Sequence, residues 1–151
     1  MRAKALLFLL ALSACAPTLA EIRPARLDQG DFLGTLAREQ RRHAIFLGRQ
    51  GVTILESERF AKKADAARDG MATEPEPAGN PAMAATRTRL LGLLESPAKE
   101  RCPVFAALAL SRYDAWAERE RAWPGSDESG RYRRDAEENL AALEGPCRHT
   151  G

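Results

Sequence analysis

The sequence predicts a mainly α-helical protein, a small helical bundle whose C-terminal part is a helical hairpin clasped by a disulfide. Three observations lead there. Apolar residues recur at helical spacing in segments separated by proline and glycine breaks. Capping residues stand where those segments start and stop. Cys102 and Cys147 lie just before one predicted helix and just after the next, so two antiparallel helices would bring the thiols together.

Taken in order, Asp31 can cap a first helix in which Leu33, Leu36, Ala37, Gln40, Ala44 and Leu47 follow helical spacing. Residues 44–55 fit two patterns. Ile45-Phe46-Leu47 and Val52-Thr53-Ile54-Leu55 around Gly48-Arg49-Gln50-Gly51 match a short β-hairpin. The flanks, Arg38 to His43 and Glu56 to Arg68, are strong helix formers, and a lone hairpin is marginal in water; helix on both sides is the favoured expectation. Residues 70–82 hold Pro75, Pro77, Pro81, Gly70 and Gly79 and read as a linker that proteases reach first.

Met83, Arg87, Leu90, Leu91 and Leu94 mark a short helix between Pro81 and Pro97. Pro103 suits the first position of the next helix. From Val104 to Leu110 every residue is apolar, which demands burial all round. Beyond it Tyr113, Trp116, Glu120 and Trp123 share one face, with charges on the others. Pro124-Gly125 ends that helix, Asp127 or Ser129 caps the next, and Tyr132, Ala136, Leu140 and Leu143 form its stripe before Gly145-Pro146. The expected organisation is therefore a leader at 1–14, a tether at 15–30, a helical segment at 31–69, the linker at 70–82, a disulfide-bearing helical segment at 83–147 and a tail at 148–151.

The leader carries the address. Arg2 and Lys4 precede the apolar run Ala5 to Leu12, which is far short of the roughly 20 residues that span a bilayer. It reads as a cleaved secretory signal. Leu12-Ser13-Ala14-Cys15 resembles the lipobox of the bacterial lipoprotein class. That resemblance implies cleavage before Cys15 and acylation of its thiol and new amino terminus, hence attachment to a membrane through lipid. Ala16 is not the aspartate of an inner-membrane retention signal, so the expected location is the periplasmic face of the outer membrane. A second site, Thr18-Leu19-Ala20, would leave a soluble periplasmic chain starting at Glu21. Either cut leaves Cys102 and Cys147, an even pair in an oxidising compartment.

Composition removes several function classes. The chain has 23 basic and 21 acidic residues; without the two leader cations the charges balance, which argues against nucleic acid as a partner. Glycine-rich phosphate loops, Gly-x-Ser-x-Gly elbows, His-Glu-x-x-His helices and Cys-x-x-Cys pairs are absent from the sequence. Asp65, Asp69, Gly70 and Glu76 match four positions of a calcium loop, but Ala67 replaces a ligand. Glu39 and His43 read as a surface pair. Asp114 and Glu118 read as surface carboxylates neutralised by Arg112, Arg119 and Arg121. No catalytic residue, metal, cofactor or small-molecule substrate is expected.

Binding remains. Tyr113, Trp116 and Trp123 could anchor a protein partner or pack on the first helices. Arg38, Arg41 and Arg42, crowded into two turns with His43, could meet lipid headgroups or an acidic partner, or stand as a solvated face. The expected function is that of a non-catalytic envelope lipoprotein, an accessory, assembly or stabilising subunit of a periplasmic or outer-membrane complex. The alternative is a periplasmic inhibitor or immunity-type protein presenting residues 70–82 as a projecting loop.

Overall fold

Helical periodicity and capping set the local structure, and six helices result among the described residues. A computed structural model describes residues 30–51, 54–145 and 147; the leader, the tether up to residue 29 with Cys15, and the tail at 148–151 lie outside the described residues. The helices are α1 (Phe32–Arg49), α2 (Ile54–Arg68), α3 (Pro81–Leu94), α4 (Ala98–Arg101), α5 (Pro103–Ala122) and α6 (Asp127–Glu144). The Asp31 carboxylate accepts from the Gly34 amide and caps α1. Asn80 accepts from the Met83 amide at 2.9 Å, with Pro81 opening α3. At α6 the cap is Ser126, one residue ahead of Asp127 and three ahead of Ser129, the two expected caps. Its extended backbone (φ −66°, ψ 155°) lets its hydroxyl accept from the Ser129 amide at 3.2 Å.

Residues 44–55 contain no strand among those described. Ile45 to Arg49 complete α1, and α2 begins at Ile54. Gly51, at φ +66°, takes the left-handed conformation that lets the chain reverse. The helical solution wins because it buries side chains a lone hairpin would leave wet. Ala44, Leu47 and Phe60 form a shared cluster between α1 and α2, and the Ser57 hydroxyl donates to the Ala44 carbonyl at 2.9 Å.

Two helical hairpins, α1/α2 and α5/α6, pack together, with α5 at the centre. α1 runs parallel to α5. Phe32 lies under Lys99 at one end, and Phe46 and Gln50 meet Arg119 at the other. The apolar run of α5 is buried at Ala106, Ala107, Ala109 and Leu110, while Val104, Phe105 and Leu108 are only partly covered. The burial extends further than the helix's own pattern implies: all seven residues from Tyr113 to Arg119 are buried. α3 closes the core with Met83 and Leu90 and is tied to α6 by Thr86 and Arg89 on Glu137 (2.7 Å each) and Arg89 on Glu144.

The clasp is present. Cys102 and Cys147 are disulfide-bonded with Cα atoms 6.1 Å apart. Nearby, Arg101 donates to the Leu143 carbonyl at 3.4 Å. The bond joins the start of α5 to the end of α6, as the spacing predicts.

Residues 71–78 are irregular, as a proline-rich linker should be. They are not a free linker. Pro75 and Glu76 are buried, and the Arg87 guanidinium donates to the carbonyls of Pro75 and Glu76 at 3.2–3.3 Å. The segment is a strap across α2, α3 and α5.

Candidate binding surface

The chemistry-bearing side chains divide into an internal network and an outer face. Asp114 of α5 is the centre of the network and is fully buried. Its Oδ2 accepts from Lys63 Nζ of α2 and Gln40 Nε2 of α1, both at 2.8 Å. Its Oδ1 accepts from the Glu76 backbone amide at 2.8 Å. Burial pushes the Asp114 carboxyl above its ordinary range, and Lys63 and the Glu76 amide offset only part of that. The strap's Glu76 carboxylate sits among three cations: Lys63 at 2.8 Å, Arg59 at 2.6 Å and Arg121 at 3.3 Å. Burial alone would raise the Glu76 pKa, but the Lys63 hydrogen bond and the three cations outweigh it and hold the carboxyl below the usual value. Burial also pushes the Tyr113 hydroxyl up to about 12.

A second buried set lies toward the C-terminal end of α5. His43 Nε2 faces Glu118 Oε2 at 3.6 Å, and its Nδ1 is 3.4 Å from the Tyr132 hydroxyl. Arg119 is buried between Glu118 (3.4 Å) and Glu128 (3.3 Å). Glu39 is buried and shared by Arg38, Arg42 and Arg112.

These positions correct the surface readings. His43 faces Glu118 of α5 instead of Glu39, its sequence neighbour. Asp114 and Glu118 are interior groups: Asp114 is partnered from α1, α2 and the strap, and Glu118 by His43 of α1 and Arg119 of α5 itself. Burying a carboxylate without a partner is prohibitive, so these pairings hold specific helices at specific registers. The only sequence signal for Lys63 and Glu76 would have been a cation and a carboxylate in search of a distant partner, which no local pattern supplies. Among the described residues, no group of three or more His, Cys, Asp and Glu side chains gathers at metal-binding distance.

The strap follows from this chemistry and is testable. A carboxyl whose folded pKa is depressed contributes stability above its unfolded value, about 4.5 for Glu76, and loses it as pH falls through the folded value. Asp114, raised, acts in the opposite sense: its contribution declines as pH climbs from 3.8 toward its folded value. Glu76→Gln should therefore shallow the loss of stability below pH 4.5 in thermal melts taken between neutral and acid pH. The same variant should speed proteolysis between Gly70 and Asn80 at neutral pH. An unchanged acid limb together with an uncut strap would show that Glu76 does not hold the segment.

The outer face is built by α1. Arg38, Arg41, Arg42, Ile45, Phe46 and Arg49 recur at three- and four-residue spacing and line a shallow depression of about 440 Å³. Of the six side chains the sequence nominates for binding, Arg38, Arg41 and Arg42 thus come together on one face. Tyr113 and Trp116 do not join them. They are buried in the core, edge to face with ring centroids 6.0 Å apart, because α5 is covered all round from Tyr113 to Arg119. Trp123, just past the end of α5, is 47% exposed. It stacks on the Arg119 guanidinium (4.9 Å), whose other neighbour is Phe46 (5.3 Å). No helix among the described residues is long and apolar enough to cross a membrane. The chain matches no protein-family model, no curated protein and no solved structure.

Proposed function

We propose that this chain is a non-catalytic envelope lipoprotein, anchored through Cys15 at the periplasmic face of the outer membrane, that serves as an accessory or assembly subunit by holding a protein partner at Trp123. The observation that carries the reading is the setting of Trp123. Its ring is open to solvent yet held by Arg119, which is itself buried and pinned by Glu118 and Glu128. A rigid, exposed tryptophan presents contact area at little entropic cost, which is the character of an interface anchor. The strap's docking through Glu76 supports this reading over the inhibitor alternative, because the segment at 70–82 does not project as a free loop.

The test has two arms. Wild-type chain should incorporate labelled fatty acid and fractionate with membranes, and Cys15→Ala should do neither; finding Glu21 as the wild-type amino terminus would remove the anchor from this account. Tagged full-length chain should retain a defined envelope partner. Trp123→Ala should weaken that retention by at least about tenfold, the loss of a hot-spot side chain, with an unchanged melting temperature. Equal retention by the variant would exclude Trp123 as the anchor.

A further inference from the structure

The outward side of α1 is basic from Arg38 to Arg49. Arg38, Arg42 and Arg49 are exposed and Arg41 is partly so, with the partly exposed Ile45 and Phe46 between them. The helix contains a single acid, Glu39, and that carboxylate is turned inward. Arg38 and Arg42 share it with Arg112 of α5. Arg38, Arg42 and Arg49, with one buried carboxylate that Arg112 also shares, leave a face with excess positive charge.

Two further observations identify what covers it. Apolar side chains lie between the arginines, an arrangement that suits the headgroup level of a bilayer, where cationic tips meet phosphate and apolar bodies sink slightly below. The second is the course of the chain. Asp31, the α1 cap, follows Cys15 by sixteen residues, which extended span at most about 55 Å. α1 itself is about 27 Å long. Every arginine of the face is therefore within reach of a membrane holding an acylated Cys15. An acidic protein would match the charge, but nothing in the chain brings one to α1.

We propose that the α1 face lies on the anionic headgroups of the membrane that holds the lipid. Lipid and arginines together form a two-part attachment that sets the orientation of the bundle. The inference rests on the Cys15 anchor, and its test is chosen to be separable from it. The probe is the chain from residue 15 with Cys15→Ser, which carries no lipid and contains all the described structure. It is sedimented with vesicles rich in phosphatidylglycerol and with pure phosphatidylcholine vesicles.

Binding should occur on the anionic vesicles alone and weaken between about 0.05 and 0.5 M salt. Arg42→Gln with Arg49→Gln should lower partitioning about 25-fold, from about fivefold per arginine. Arg131→Gln with Arg134→Gln, the same charge change on exposed positions of α6, should leave it within about twofold of wild type, since charges held off the surface are screened. Absent binding at low salt, equal binding to both vesicle types, or equal losses from the α1 and α6 pairs would each overturn the proposal. So would capture of this face by an acidic protein in the absence of vesicle binding. An unlabelled Cys15 with intact vesicle binding would instead overturn the anchor and leave the face as assigned.

Discussion

Asp114→Ala should destabilise the fold by about 3–5 kcal/mol, the cost of removing one member of a buried ion pair. The variant removes a partner from three groups at once: the Gln40 amide and the Glu76 backbone N–H lose their acceptor, and the Lys63 ammonium loses one of its two carboxylates. Against a typical total of about 5–15 kcal/mol, that is enough to leave much of the protein unfolded at 37 °C. Lys63→Met should cost a similar amount, because it leaves the carboxylates of Asp114 and Glu76 without their shared cation. The double variant, Lys63→Met with Asp114→Ala, should be clearly less damaging than the two single losses added together, since neither partner is then left charged and alone. Denaturant titrations of the four proteins measure this. A cost below about 1 kcal/mol for Asp114→Ala, the value of an exposed pair, would mean the network is hydrated and does not organise the core.

Loss of the Cys102–Cys147 bond is the second large effect, expected at about 2–5 kcal/mol for a small disulfide-bonded domain. The bond joins residues 45 apart, and on the chain-entropy estimate a loop of that size contributes roughly 4 kcal/mol. Its position adds to this. The clasped end of α5 carries Val104 to Leu110, with Ala106, Ala107, Ala109 and Leu110 buried, and fraying there would expose the apolar run to water. Cys102→Ser and Cys147→Ser should destabilise alike, and the double variant should be no worse than either. Peptide mapping of denatured, unreduced protein after thiol alkylation should find neither cysteine modified. Alkylation at both positions, or a double variant as stable as wild type, would remove the clasp.

Tyr113 and Trp116 take the packing alternative that their stripe allowed, and not the anchor. Their shared face, with Trp123, resembled an anchor because charged residues occupied the other faces of that helix. Those charges, Asp114, Glu118 and Arg119, are buried as well. A wheel separates wet from dry only for a helix covered on one side, and α5 from Tyr113 to Arg119 is covered all round. Trp123 escapes because Pro124 and Gly125 end the helix beside it. Gly125, at φ +70°, turns the chain toward α6.

The proline-rich segment fails as a free linker for a related reason. Pro75 and Pro77 exclude helix, and residues 71–78 are indeed irregular. Irregular backbone is nonetheless able to dock, and one carboxylate placed among three cations is enough to pin it.

By itself the sequence determined the helical class, most helix boundaries, the disulfide and the arginine row of α1. Caps, proline at a first helical position, hydrophobic spacing and side chains one turn apart all act within about four residues. The cysteine pair was legible because two antiparallel helices leave one sensible place for its ends. Only the tertiary structure decided the partners of Asp114, which reach it from 74, 51 and 38 residues away, and with them the burial of His43 and Glu118 and the docking of the strap. A buried charge must find its counter-charge wherever packing puts one. That choice belongs to the arrangement of four helices at once, and no single segment contains it.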